Sequence, residues 1–119
     1  MKRIVLLMIL AMALPLLASA EEWNNVSIID TQCSTKAKAD PDSHTRSCAL
    51  TCAKSGFGIL DKDGHYLKFD ALGNAEALKL LQNTTKKDHL RVSVSGKKEG
   101  DIIHVQSLKM YKYEFAPAE

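Results

Sequence analysis

Residues 90–111 read LRVSVSGKKEGDIIHVQSLKMY, and this stretch decides the fold. Leu90, Val92 and Val94 alternate with Arg91, Ser93 and Ser95, the two-residue period of a strand with one face on a core. Gly96 to Gly100 predicts a turn. Ile103 and Val105 then alternate with Ile102, His104 and Gln106 on a returning strand that continues through Leu108, Met110 and Tyr111. Working back along the chain, Ala75, Leu78 and Leu81, with Ala77 and Leu80 beside them, form an apolar stripe at helical spacing. Asn74 is the expected cap of that helix, which ends near Asn83. Before it, the apolar runs 58–61 and 66–69 flank Lys62-Asp63-Gly64-His65, and Asp-Gly between such runs predicts a β-hairpin.

The first strand is predicted over 25–30, where Val26, Ile28 and Ile29 cluster near Trp23. Small and polar residues fill 31–42, and Asp40-Pro41-Asp42 marks a turn because proline fixes its own φ and pushes its predecessor out of the helical basin. Ser43 is a candidate cap for a short helix running to about Lys54 and stopped by Gly56. The order is therefore β, helical insertion, β, β, α, β, β. That is the order of an OB-like barrel: an α+β, mostly β, five-stranded fold with one helix between strands 3 and 4 and a Cys-bearing helical insertion after strand 1. An open five-stranded α+β sheet is the competing architecture.

Residues 1–20 read as a cleavable signal peptide. Lys2 and Arg3 precede an apolar run from Ile4 to Leu17, and Ala18-Ser19-Ala20 supplies the small residues of a cleavage site. The run contains Pro15 and falls short of the roughly 20 residues a membrane-spanning helix needs, so no permanent membrane anchor is expected. The expected product is a single domain over 21–119, periplasmic or secreted. With Lys2 and Arg3 removed, 14 basic residues stand against 14 acidic ones. A neutral chain lacks the basic excess that nucleic acid or anionic lipid requires, so no nucleic-acid partner is expected.

The stretch Ile29-Asp30-Thr31-Gln32-Cys33, the pair Cys48 and Cys52, the run Gly56-Phe57-Gly58-Ile59-Leu60 and the two strands over 92–108 resemble a family of small exported bacterial OB-like proteins of unknown function, with an Asp-x-x-Cys start and a spaced Cys pair. The resemblance covers nearly all of 21–119. It implies a single barrel with a Cys-bearing insertion after the first strand and a histidine ahead of the Cys pair, as His44 is here. It implies no activity.

The chemistry of the chain is concentrated in Cys33, His44, Cys48 and Cys52. His44, Cys48 and Cys52 stand at i, i+4 and i+8, on one face if the segment from Ser43 to Lys54 is a single helix. With Cys33 folded back onto them, three thiolates and one imidazole complete a tetrahedral shell for Zn²⁺, and thiolate-rich sites also suit Cu⁺. The competing expectation is a disulfide, since exported proteins meet oxidising surroundings. Cys33 with Cys48 or Cys52 would close a loop of 15 or 19 residues and stabilise the fold by roughly 3 kcal/mol in the chain-entropy picture. A redox or catalytic cysteine, with His44 beside Cys48 as base, is a third reading. No catalytic motif is present, so the chain is not expected to be an enzyme.

Trp23, Phe57, Tyr66 and Phe69 could make a stacking surface, but core packing is the plainer use of such residues. His65, His89 and His104 are expected at the surface. The expected function is thus a non-enzymatic binding module meeting a protein, glycan or small ligand. The alternative is a protein that binds Zn or Cu through the Cys/His cluster, and the third is a thiol redox protein. No cofactor is demanded by the residues beyond that candidate Zn or Cu.

Overall fold

The computed structural model describes residues 20–112, so the expected signal peptide lies outside the described residues except for Ala20. Among the described residues there are five strands: β1 (Glu21–Asp30), β2 (Phe57–Leu60), β3 (Tyr66–Phe69), β4 (Arg91–Glu99) and β5 (Ile102–Met110). Three α-helices accompany them, α1 (Ser34–Ala37), α2 (Arg46–Thr51) and α3 (Ala71–Asn83), with short 3-10 turns between. The strands close into a barrel in the order β1-β2-β3-β5-β4. All neighbours are antiparallel except β3 and β5, which pair in parallel through Lys68 with Ile102 and Phe69 with Ile103. This small, closed, mixed five-stranded barrel with a few helices is compatible with the OB-like barrel expected.

The alternation in β4 does what its period demands, burying Val92 and Val94. In β5 the period breaks. Ser95 pairs with Ser107 but Gly96 pairs with Val105, so Gln106 is an extra residue in β5. That bulge changes the parity of the strand: Ile103 and Val105 face the core before it, and Leu108 and Met110 pack against the core after it. The turn is also shorter than Gly96 to Gly100, because β4 runs to Glu99, which pairs directly with Ile102.

β1 is longer than the predicted 25–30, starting at Glu21, and it too carries an irregularity between Trp23 and Val26. Asn25 takes up that kink with φ +55°, a left-handed conformation that asparagine tolerates better than most residues. Beyond the kink every residue from Val26 to Asp30 is buried. Val26 and Ile28 join the main core, whereas Ile29 packs with Ala37 and Leu60 under the insertion, so both faces of this half-strand are covered. Phe57 and Phe69 are core residues, Trp23 packs against that core and Tyr66 against the smaller cluster.

α3 begins earlier than predicted. Its cap is Asp70, whose side chain accepts from Gly73 N at 2.9 Å. Asn74 lies inside the helix, where its Oδ1 accepts from Phe57 N at 2.8 Å and ties the helix to the start of β2. Ala77 and Leu81 are the buried stripe that seats α3 against the barrel. The single helix predicted from Ser43 to Lys54 is broken into a 3-10 turn at Pro41–Ser43, α2, and a second 3-10 turn at Ala53–Ser55. Thr45, not Ser43, caps α2 by accepting from Cys48 N at 3.1 Å, because His44 between them is extended and its ring is used elsewhere. Among the described residues no helix is long and apolar enough to cross a membrane.

Candidate functional site

The site begins where β1 ends. Asp30 leaves the strand in an extended conformation and accepts from Cys33 N at 3.0 Å, which nucleates the 3-10 turn Thr31–Cys33 and fixes where the thiol of Cys33 stands. Ser34 Oγ donates to Thr31 O at 2.9 Å and carries the chain into α1. The far end of the insertion returns to the same place. Thr31 N donates to Gly56 O at 2.9 Å and Gln32 N to Ser55 Oγ at 3.1 Å, while Ser55 Oγ donates to Cys52 O at 2.8 Å. These bonds bring Cys52, at the end of α2, against Cys33.

One ligand atom from each of Asp30, Cys33 and Cys52 lies within 4.8 Å of the other two. Asp30 is fully buried, and its second oxygen accepts from His44 Nε2 at 2.7 Å, with the His44 side chain only 8% exposed. Tyr66 closes the floor by donating to Ile29 O at 2.9 Å, with Thr31 Oγ1 3.1 Å from its hydroxyl. Burial pushes the Tyr66 hydroxyl upward, as does the Asp30 carboxylate, against the opposing hydrogen bond from Thr31. Gly58 makes room for that ring: a Cβ there would lie 2.3 Å from Leu67 O and 2.7 Å from the Tyr66 ring.

Burial first, then the charge of Asp30 and its hydrogen bond to the thiol, then Cys52, push the Cys33 thiol up to about 11. A thiol in such surroundings keeps its proton at neutral pH, the reverse of the electropositive setting that activates a nucleophilic cysteine. All three cysteines are free.

Of the four residues expected to converge, Cys33 and Cys52 are brought together and His44 joins them by way of Asp30. Cys48 is exposed and stands outside the group. The expected ridge of His44, Cys48 and Cys52 does not form, because His44 precedes the helix and its backbone is extended. Asp30 is the residue that sequence reading passed over. Its signature was the Asp-x-x-Cys spacing, in which an acidic side chain can cap the backbone N–H three residues on.

The insertion is fastened to the barrel at two further points. Arg91 forms a bidentate pair with Asp42, Nε to Oδ1 and a terminal nitrogen to Oδ2, both at 2.9 Å, and also reaches Asn25 O at 3.1 Å. That pair holds the Asp42 carboxyl below its ordinary value. Arg46, the first residue of α2, donates to Leu81 O at 2.6 Å and Gln82 O at 3.1 Å, satisfying carbonyls at the end of α3. The other histidines, His65, His89 and His104, have exposed side chains. Asp61, Asp63 and His65 also come together, but on the exposed β2–β3 turn, where Asp61 Oδ1 accepts from the backbone of Asp63 and His65.

No protein-family model, curated protein or solved structure matches the chain.

Proposed function

We propose that this chain is an exported, non-enzymatic binding module built on an OB-like barrel, and that its insertion holds a thiophilic metal ion, Zn²⁺ or Cu⁺. Cys33 and Cys52 supply the sulfur ligands, and Asp30, backed by His44, lies beside them. The observation that carries this reading is the mutual approach of Asp30, Cys33 and Cys52 to within 4.8 Å. A tetrahedral zinc with Zn–S bonds of about 2.3 Å sets its sulfurs about 3.8 Å apart, within the 4.8 Å that bounds the approach of the cluster's ligand atoms. Two thiols converging on a buried carboxylate suit soft and borderline cations. The protonated state of Cys33 speaks against a thiol nucleophile. Export is supported by Lys2, Arg3, the apolar run and the small residues ending at Ala20.

The same closeness supports a second reading, a disulfide between Cys33 and Cys52 that leaves Cys48 as a spare thiol. One experiment separates the two. The full chain is purified anaerobically from the compartment it is exported to, and metal content is measured beside a thiol count in denaturant. About one equivalent of metal with three reactive thiols is expected. Metal-free protein with a single reactive thiol overturns the metal reading in favour of the disulfide.

A further inference from the structure

Resting on the metal-binding reading above, we propose that the ion is Cu⁺, held by the two thiolates of Cys33 and Cys52 alone, with Asp30 and His44 as an outer positioning pair and not as ligands. The argument is one of ligand number. Zinc in a structural site takes four protein ligands. The cluster offers three ligand atoms at most, and the third is already engaged. Asp30 Oδ1 accepts from His44 Nε2 at 2.7 Å and Oδ2 from Cys33 N at 3.0 Å, inside a residue with no solvent exposure. A carboxylate is moreover a hard oxygen donor, matched to cations such as Mg²⁺ or Ca²⁺ rather than to a soft ion that has two sulfurs within reach.

His44, which could have been a fourth ligand, is outside the group of mutually close ligand atoms and meets Asp30 through Nε2, and Cys48, the remaining thiol, is exposed outside the group as well. What is left free to bind is two sulfur atoms. Two soft thiolates match Cu⁺, which accepts low coordination numbers, whereas the group as a whole falls short of the four protein ligands of a structural zinc site. The Asp30–His44 pair then acts through Cys33: it fixes the backbone of the 3-10 turn and receives the thiol hydrogen bond until the metal displaces the proton. Loading is balanced as two thiols and one Cu⁺ giving a bis-thiolate copper unit and two protons released to solvent.

The test loads reduced full-length chain anaerobically with Cu⁺, supplied against a chromogenic Cu⁺ chelator, and in parallel with Zn²⁺, and reads stoichiometry and X-ray absorption at the metal edge. The expected result is one Cu⁺ with two sulfur neighbours and no nitrogen or oxygen in the inner shell. Binding should be lost in C33S and C52S and kept in C48S, with circular dichroism confirming that each variant is folded. A nitrogen or oxygen neighbour in the copper spectrum, or one tightly held Zn²⁺ that Cu⁺ does not displace, overturns the inference and leaves the metal reading standing. Failure of both ions to bind the reduced chain overturns the metal reading itself. Because the absorption spectrum is taken on the unsubstituted protein, the outcome does not depend on any variant folding.

Discussion

Replacing Asp30 by asparagine should lower the pH at which Cys33 ionises, and the size of the effect follows from what surrounds the thiol. Cys33 is pushed from 9.0 to about 11 by burial, by the charge of Asp30 and its hydrogen bond, and by Cys52. At pH 8 a thiol at about 11 is ionised in only about one molecule in a thousand, against about one in ten for a thiol at its ordinary value. The D30N side chain keeps the shape of the original but carries no charge, leaving burial and Cys52 in place. The midpoint should therefore fall to between 9.0 and about 11. Rate at one pH understates the change. Each unit of fall raises the thiolate fraction tenfold but makes that thiolate about threefold less nucleophilic, so alkylation speeds up only about threefold per unit. The assay is peptide-resolved alkylation by mass spectrometry across pH 7 to 11, read as the midpoint for the Cys33 peptide. The substitution also weakens the cap and the bond to His44, at a cost of about 1–3 kcal/mol, or roughly 4–8 °C of melting temperature per kcal/mol, so labelling is done well below the new transition. A Cys33 midpoint at or below 9 in the native chain, or one that does not move in D30N, would refute the electrostatic account of the site.

Metal affinity should fall as pH falls, about tenfold per pH unit for each thiol proton displaced. Cys33 contributes over the whole range from pH 6 to 9, because its thiol ionises only near 11, and a pH-independent affinity measured by chelator competition would contradict this. Arg91→Met removes the bidentate pair with Asp42, which is partly exposed, and should cost about 1–2 kcal/mol by urea denaturation at pH 7 once solvent screening is allowed for. The carboxyl of Asp42 is lowered in the fold from 3.8, so its contribution is present above that pH and is lost as pH falls through the lowered value. The stability gap between native chain and D42N should accordingly close below it, and a gap that widens in acid would reverse the sign. Gly58→Ala forces a Cβ onto a backbone carbonyl and the Tyr66 ring and should destabilise by at least about 3 kcal/mol, whereas a loss under 1 kcal/mol would show that the β2–β3 contact is loose. Asn74→Leu strands the amide of Phe57 and should cost about 1–3 kcal/mol by thermal melting, and an unchanged transition would mean that this bond carries nothing.

The strand pair over 90–105 was legible because alternation with one face on a core is a pattern few other structures produce. Its continuation holds the mark of the bulge at Gln106 in the step from Ile103 and Val105 to Leu108 and Met110, where the apolar positions change parity. The start of α3 was misplaced for a physical reason. Asn74 and Asp70 are both good caps by residue type, and Asp70 takes the role because Gly73 sits inside the helix against the barrel, where a Cβ would come 2.5 Å from a Val105 methyl. Ser43 and Thr45 are both good caps by type, and the choice between them is made by His44, whose ring reaches Asp30 only if its backbone stays extended. The nearness of Cys33 to the later cysteines was anticipated, but which of them it meets was not. Thr31, Gln32, Ser55 and Gly56 decide that through one backbone bond and one bond to the Ser55 hydroxyl, neither with a sequence signature.

The ring closes only when β1 meets β4, pairing Glu21 with Gly96 and Val26 with Val92. On a ribosome adding about 5–20 residues per second, β4 trails Asp30 by several seconds, and pairings this distant along the chain are the slow ones to form. Until they do, β1 has an open edge along Glu21 to Ser27, while Asp30 at its other end already has its partners in β2 and the insertion. The bonds that set Cys33 against Cys52 all lie within residues 30–56, so the thiol pair is a local product of the insertion and not of the closing seam.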